Sequence, residues 1–434
     1  MTRERATLPP AGCQRIPRMA AAIAPPIEAP LGRYVRWALA VTAGSMPLYV
    51  VRWHIGPLPT TLLEIEILVT VALYLVAVLR HAAPRPKRTP YEIPIALFLL
   101  AGLVGIVVAP DHRGALGIFR AYLFEPIAIY YVATAVLGTS ESIESILGVL
   151  GVGAVLFALV EMTTFVQALA GHRLVLGHAA AAFGINPNSV AIYLEPLIAL
   201  AAGFALFDRG RRRWLGVGVL TILLIAEAAT LSRGGLLALA ALVVIAFVTV
   251  GAVTFRAALL AAAVAGALIL WQLPFVGLRI KYFLVDPAHT LFGRFHIWSA
   301  TLRMLRDHPI FGAGINAYQT TMAPYRATDA YKVAEPYPHN IVLTTWTELG
   351  LLGLAAFIYI LGALIIRPWK ALATSFGLYR PVLWGLGSAF IMIAVHGLTD
   401  SPYWKNDLSL EFWVLASLEV VALRAVSAAQ AQHG

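Results

Sequence analysis

The sequence predicts an all-α polytopic membrane protein of about twelve transmembrane helices, with one large outward loop between spans 9 and 10. Three observations predict it. Hydrophobic residues make up 60% of the 434 and charged residues only 12%, against about 25% charged in an average soluble domain. Mean hydropathy is +0.79. The apolar residues also fall in runs long enough to cross a bilayer, for which roughly 20 residues make one span. A chain this apolar cannot cover its surface with polar groups in water, so lipid is its solvent. Soluble enzymes, nucleic-acid binders and disulfide scaffolds are excluded at the outset.

From the N-terminus, residues 1–33 form a basic cytoplasmic tail. Pro9, Pro10, Pro17, Pro25, Pro26 and Pro30 break any apolar core that a signal peptide would need. Spans one to nine occupy 34–272, as runs near 34–51, 58–79, 92–109, 115–137, 142–170, 186–207, 214–231, 234–251 and 254–272. Residues 273–338 form the outward loop. Spans ten to twelve follow within 339–426, as runs near 339–366, 380–398 and 408–426, and 427–434 are a cytoplasmic tail. The single cysteine, Cys13, excludes an internal disulfide and any cysteine-based metal site.

Orientation follows from the cations. Of 32 Lys and Arg, 19 lie at the termini and in the turns that share their side, six lie in short segments on the other side, and seven lie in the long loop. The positive-inside bias puts both termini in the cytoplasm and accounts for most of the net charge of +10, so no nucleic-acid partner is implied. Within the loop, Gly293 to His308 has a helical pattern with Arg294 and Trp298 on one face. Pro309 stops that helix and a Gly312-Ala313-Gly314 turn follows.

The chemistry starts from what is missing. There is no H-E-x-x-H, no P-loop and no paired Asp cluster on the outward side, and the first outward loop, Val51 to Pro59, has no carboxylate. No metal and no cofactor is therefore expected. A diphosphate would need arginines, whose bidentate donors and permanent charge suit phosphate oxygens. Arg120 falls inside span four, and Arg233 sits in the short Ser232-Arg233-Gly234-Gly235 turn. An ionisable group at membrane depth points to function. Snorkelling, or a buried ion pair with Glu125, Glu161, Glu195 or Glu227, would place either arginine equally well.

The sharpest feature is Tyr337-Pro338-His339-Asn340, directly before span ten. Pro338 suits a first helical turn, which puts His339 at the positive end of the helix dipole. On that basis His339 is expected to be neutral at pH 7 and able to accept a proton. Glu348, nine residues on, points nearly opposite and is expected to be structural rather than its partner. The scattered His172, His178, His289, His296, His308 and His396 make no metal spacing. Asn186-Pro187-Asn188 opens span six, where capping is the plain reading, and faces the same side as His339.

These residues resemble the O-antigen ligase and O-antigen polymerase superfamily. The likeness is carried by Gly293-Arg294 with Trp298, by His308-Pro309-Ile310-Phe311-Gly312-Ala313-Gly314-Ile315-Asn316, by His339-Asn340 and by Glu348-Leu349-Gly350-Leu351-Leu352-Gly353. Asn186-Pro187-Asn188 and Ser232-Arg233-Gly234-Gly235 also fit, and the similarity runs over roughly residues 180–400. The resemblance implies a GT-C-like glycosyltransferase of the Gram-negative inner membrane with its site on the periplasmic face. Ligases of this family move a polysaccharide from undecaprenyl diphosphate onto lipid A-core; polymerases move it onto another lipid-linked repeat unit. The family's essential histidine maps to His339, and its arginines to Arg233 and Arg294, with Arg120 a further candidate. Arg120, Asn340, Tyr337, Trp298 and Asn188 are expected to bind substrate. The third family branch, the protein O-oligosaccharyltransferases, carries an added C-terminal region that this chain lacks.

The implied chemistry agrees with the residues. A donor used outside the cytoplasm must bring its own leaving group, and a lipid diphosphate does. Arg233 and Arg294 would stabilise the departing diphosphate, while His339 takes the proton of the acceptor hydroxyl. The lipid bilayer is the remaining partner. A secondary transporter would also have twelve spans, but it should show internal symmetry and broken mid-membrane helices, and neither is seen in the sequence.

Overall fold

In a computed structural model of the protein the described residues are 30–56, 58–171, 181–256, 291–327 and 335–433. Among them, seven helices are long and apolar enough to cross a membrane. The helices are α1 (Pro30–Gly44), α2 (Leu62–Leu79), α3 (Glu92–Val108), α4 (His112–Ile118), α5 (Glu125–Val136), α6 (Ser140–Ala170), α7 (Pro187–Phe207), α8 (Gly210–Thr230) and α9 (Arg233–Thr249). After these come α10 (Leu291–Asp307), α11 (Tyr318–Ala327), α12 (Ile341–Leu372), α13 (Tyr379–His396) and α14 (Asn406–His433). Eleven of the twelve expected spans coincide with helical segments. The ninth, 254–272, lies outside the described residues beyond its first three.

Two segments depart from plain helices. The first expected span ends early: Pro47 opens a turn of 3-10 helix at Met46–Val50, and a hairpin follows instead of an open loop. Its strands are β1 (Arg52–Ile55) and β2 (Leu58–Thr61), paired antiparallel with Arg52 opposite Thr61 and Trp53 opposite Thr60. Span four is interrupted by a π-helical segment, Phe119–Phe124, between α4 and α5. Such widened turns are rare and often sit beside function.

α7 is the centre of the bundle, buried along most of its length and packed on α8, α9 and α13. Small residues let backbones approach where no hydrophobic drive separates helix from lipid. A Cβ on Gly203 of α7 would lie 2.3 Å from the Pro381 carbonyl oxygen of α13.

The described end of the loop before α12 is keyed into that helix. At Gly350 the helix breaks, with φ 66° and ψ −170°, and the freed backbone pairs with residues 310–314. Ala313 and Gly314 donate to the Thr347 carbonyl at 2.7 and 3.2 Å, and Leu351 donates to the Ile310 carbonyl at 2.9 Å. Gly312 (φ 67°) lies so close that a Cβ would meet the Trp346 carbonyl oxygen at 2.4 Å. Only glycine takes this left-handed conformation at so close an approach without strain. The Asn316 amide reaches the buried Glu348 Oε2 at 2.6 Å, and Trp346 Nε1 donates to the Pro309 carbonyl at 2.7 Å. Glu348 is thus structural, as its place on the helix implied. The Gly-Ala-Gly turn acts as a plug that fixes the end of α10.

Candidate active site

The start of α12 is stitched to the end of α13. Asn340 caps α12, its Oδ1 accepting from the amides of Val342 and Leu343 at 3.0 Å each, an arrangement worth about 1 kcal/mol. Its Nδ2 donates to the Leu398 carbonyl at 3.0 Å, and the Ile341 amide donates to the Gly397 carbonyl at 2.7 Å. α13 ends at His396, whose carbonyl accepts from the amides of Thr399 and Asp400. Below that turn, the fully buried His396 Nδ1 pairs with Glu195 Oε1 of α7 at 2.6 Å. The result sets Asp400 directly beside His339.

Asp400 is the hub. Its Oδ1 accepts from His339 Nδ1 at 3.1 Å and from the Ser401 amide at 2.9 Å. Its Oδ2 accepts from Asn188 Nδ2 at 3.1 Å and lies 3.9 Å from Arg294 Nη2. Arg294 also donates through Nη1 to the Thr399 carbonyl. Asn188 Oδ1 in turn accepts from Ser232 Oγ at 3.0 Å, and Ser232 caps α9 by accepting from the Gly235 amide at 3.2 Å. Arg233, the first residue of α9, is exposed and near enough to Arg294 for the two charges to act on each other. Gly234 and Gly235 follow because a Cβ there would come within 2.3 Å of His396 Nε2 and 2.0 Å of Glu227 Oε1.

His339, Arg294, Arg233 and Asn188 are therefore brought together from four separate parts of the chain. Trp298, one turn beyond Arg294 on α10, donates through Nε1 to the Pro338 carbonyl at 2.8 Å and fixes the residue before His339. Tyr337 lies beside Tyr122 of the π segment, and burial pushes its pKa well above the ordinary value. Asn340 is placed differently from the expectation. Its amide is spent on the helix cap and the Leu398 carbonyl, which makes it a scaffold residue rather than a free substrate contact. Arg120 is not in the Asp400 cluster. Its half-buried guanidinium pairs with two buried carboxylates, Glu64 at 3.0 Å and Glu125 at 3.4 Å; the pair with Glu125 is one that the sequence left open.

The expected neutrality of His339 is overturned. Burial lowers its pKa, but Asp400 on Nδ1 and Glu335 Oε2, 3.3 Å from Nε2, outweigh that and the opposing charge of Arg294, pushing the group up to about 9. The helix dipole is a fraction of a charge, and here it competes with two carboxylates at hydrogen-bond distance. At pH 7 the resting imidazole is charged, with both ring nitrogens donating. Burial alone would raise the Asp400 carboxyl; the hydrogen bond and charge of His339, with the charges of His396 and Arg294, hold it below the usual carboxylate range instead.

Sequence reasoning singled out neither Asp400 nor Glu335. The available signal was an aspartate two residues past the end of span eleven, on the side of His339. The backbone at His339 is itself unusual, with φ at 50°, uncommon for a non-glycine residue and a mark of constraint at functional positions.

No curated protein matches the chain. A family model described as O-antigen ligase matches residues 218–358, a stretch that contains Arg233, Arg294, Trp298, Glu335, Tyr337 and His339. Over that stretch, about a third of the chain, the protein is similar to the O-antigen ligase family, whose members are membrane glycosyltransferase-like enzymes.

Proposed function

We propose that the protein is an O-antigen ligase that moves O-antigen polysaccharide from undecaprenyl diphosphate to lipid A-core, on the periplasmic face of the inner membrane. The observation that carries this reading is the Asp400 hub, which joins His339 to Arg294 and, through Asn188 and Ser232, to the Arg233 turn. In the reaction the acceptor hydroxyl oxygen attacks the anomeric carbon as the bond from that carbon to the diphosphate oxygen breaks. The hydroxyl proton passes to His339 Nε2, and the electron pair of the broken bond leaves on the diphosphate. Arg233 and Arg294 stabilise that developing charge, which strengthens only in the transition state. One displacement inverts the anomeric carbon and leaves no covalent enzyme intermediate.

The acceptor must take the place that Glu335 occupies on Nε2, and His339 must be neutral to accept the proton. Two consequences follow for pH. kcat/KM should rise with pH through about 9 and level off above it, because the neutral fraction grows as pH passes the His339 pKa. Glu335→Gln removes one of the carboxylates that raise that pKa, so its rising limb should lie at lower pH than in the wild type. A pH profile unchanged by this substitution would remove Glu335 from the control of His339.

Transfer itself is tested with purified protein in detergent, undecaprenyl-diphosphate-linked glycan and lipid A-core, with EDTA present and products read by gel and mass. Glycan on lipid A-core is the expected product, made at the same rate with or without EDTA. Elongated lipid-linked chains with a bare acceptor would make the protein a polymerase with the same residues in the same roles. An EDTA-sensitive reaction restored by magnesium would overturn the arginine-only treatment of the diphosphate, and no transfer to either acceptor would favour a transporter.

A further inference from the structure

A second group of cations lies at the same end of the bundle and is not used by the chemistry above. Arg52 opens β1, and its guanidinium carbon lies 5.5 Å from the centre of the Tyr49 ring. Lys405, just before α14, holds its Nζ 4.6 Å from the same ring centre. Tyr49 itself is 2% exposed, and its hydroxyl is buried with no partner among the described residues. Arg52 also donates through Nε to the Tyr49 carbonyl at 3.4 Å. Neither cation forms an ion pair among the described residues. Asp407 acts on both only at longer range and is buried at 3% exposure, whereas Arg52 is exposed and Lys405 half-buried. The face presented to the outside is therefore positive.

Depth and continuity say what this face meets. All four residues of β1 are exposed, including Trp53 and Ile55, and an exposed tryptophan beside cations marks the headgroup level of a bilayer. Phosphates of lipids lie at that depth. The patch also lies within electrostatic reach of the candidate active site. The charge of Lys405 acts on Asp400, and that of Arg52 on Tyr122, which neighbours Tyr337, two residues before His339. Two sets of cations from unrelated elements thus flank the His339–Asp400 end of the bundle, Arg233 with Arg294 and Arg52 with Lys405. A reaction between two lipid-anchored substrates needs two such sets.

We propose that Arg52 and Lys405, gathered on the Tyr49 ring, form a second anion site that holds a phosphate of the acceptor lipid while the donor diphosphate occupies Arg233 and Arg294. The phosphate site stands on its own geometry; naming its ligand as the acceptor rests on the transferase reading.

Native mass spectrometry of the purified full-length protein, with phosphatidic acid as the probe, tests the site without any need for activity. Binding of phosphatidic acid should weaken about tenfold or more in the Arg52→Gln/Lys405→Gln double variant, the scale of a lost charge-assisted contact. The charge-preserving Arg52→Lys/Lys405→Arg variant should retain most of it. Equal binding to wild type and the glutamine variant would overturn the site. The same loss for phosphatidylglycerol would make it a contact for bulk phospholipid, and displacement by inorganic phosphate a site for the free ion; either result overturns the acceptor assignment. In the transfer assay the glutamine variant should show a raised KM for lipid A-core at an unchanged KM for the donor. A wild type that transfers nothing would retire the transferase reading and leave the binding result standing.

Discussion

Replacing His339 with asparagine is expected to lower the rate of transfer by about three orders of magnitude, the middle of the range for a positioned proton acceptor. Asparagine is the informative choice because position 339 has a positive φ, a conformation that asparagine adopts more readily than alanine. The fold should survive the change. Asp400 keeps Asn188, Arg294 and the Ser401 amide as partners, and α12 keeps its Asn340 cap. Donor binding should survive as well, because the diphosphate is held by Arg233 and Arg294. The measurement is a single-turnover rate at saturating donor, beside thermal unfolding in detergent and donor affinity. A variant that transfers within tenfold of the wild type would remove His339 from the chemistry and leave it a helix-end residue.

Much of this arrangement was legible in the sequence, and the reason is periodicity and placement. Long apolar runs predict the helices, because lipid allows few other solutions for a buried backbone. Arg233, Arg294 and His339 stood out because each is a costly or constrained residue beside an apolar run. The features that escaped are those that depend on partners distant in sequence. The hairpin at Arg52–Thr61 pairs strands too short to show an alternating pattern. The break at Gly350 occurs in the middle of an apolar helix, and only the docking of residues 310–314 makes it favourable. Arg120 carries the same local signal as Arg233, yet Glu64, which arrives from α2, joins the nearby Glu125 in absorbing its charge. Sequence alone leaves the two arginines equivalent; burial beside two carboxylates separates them. The charge state of His339 fails for a related reason. The helix dipole is a local property, whereas Asp400 arrives from 61 residues away.

Asp400 is the sharper test, because it touches no reacting atom in the scheme above and acts through three neighbours. Asp400→Asn keeps the shape and one acceptor oxygen but removes the charge. The His339 pKa should fall from about 9, since the hydrogen bond and charge of Asp400 are the largest of the influences that raise it. The rising limb of the pH profile should therefore move to lower pH. kcat should nonetheless drop by about a hundredfold, because the ring loses the charged partner that orients it and stabilises the imidazolium formed as the proton arrives. The donor KM should not rise. Arg294 loses its carboxylate neighbour, so the arginine pair faces the diphosphate with less competing negative charge. A purely structural role would give a different pattern: a lower unfolding temperature, a raised KM for both substrates and a pH limb that stays in place. An Asp400→Asn variant with normal kcat, whatever its pH profile, would show that the His339 ring is oriented by Trp298 and the α12 cap alone, and the hub would then be a packing feature of the bundle end.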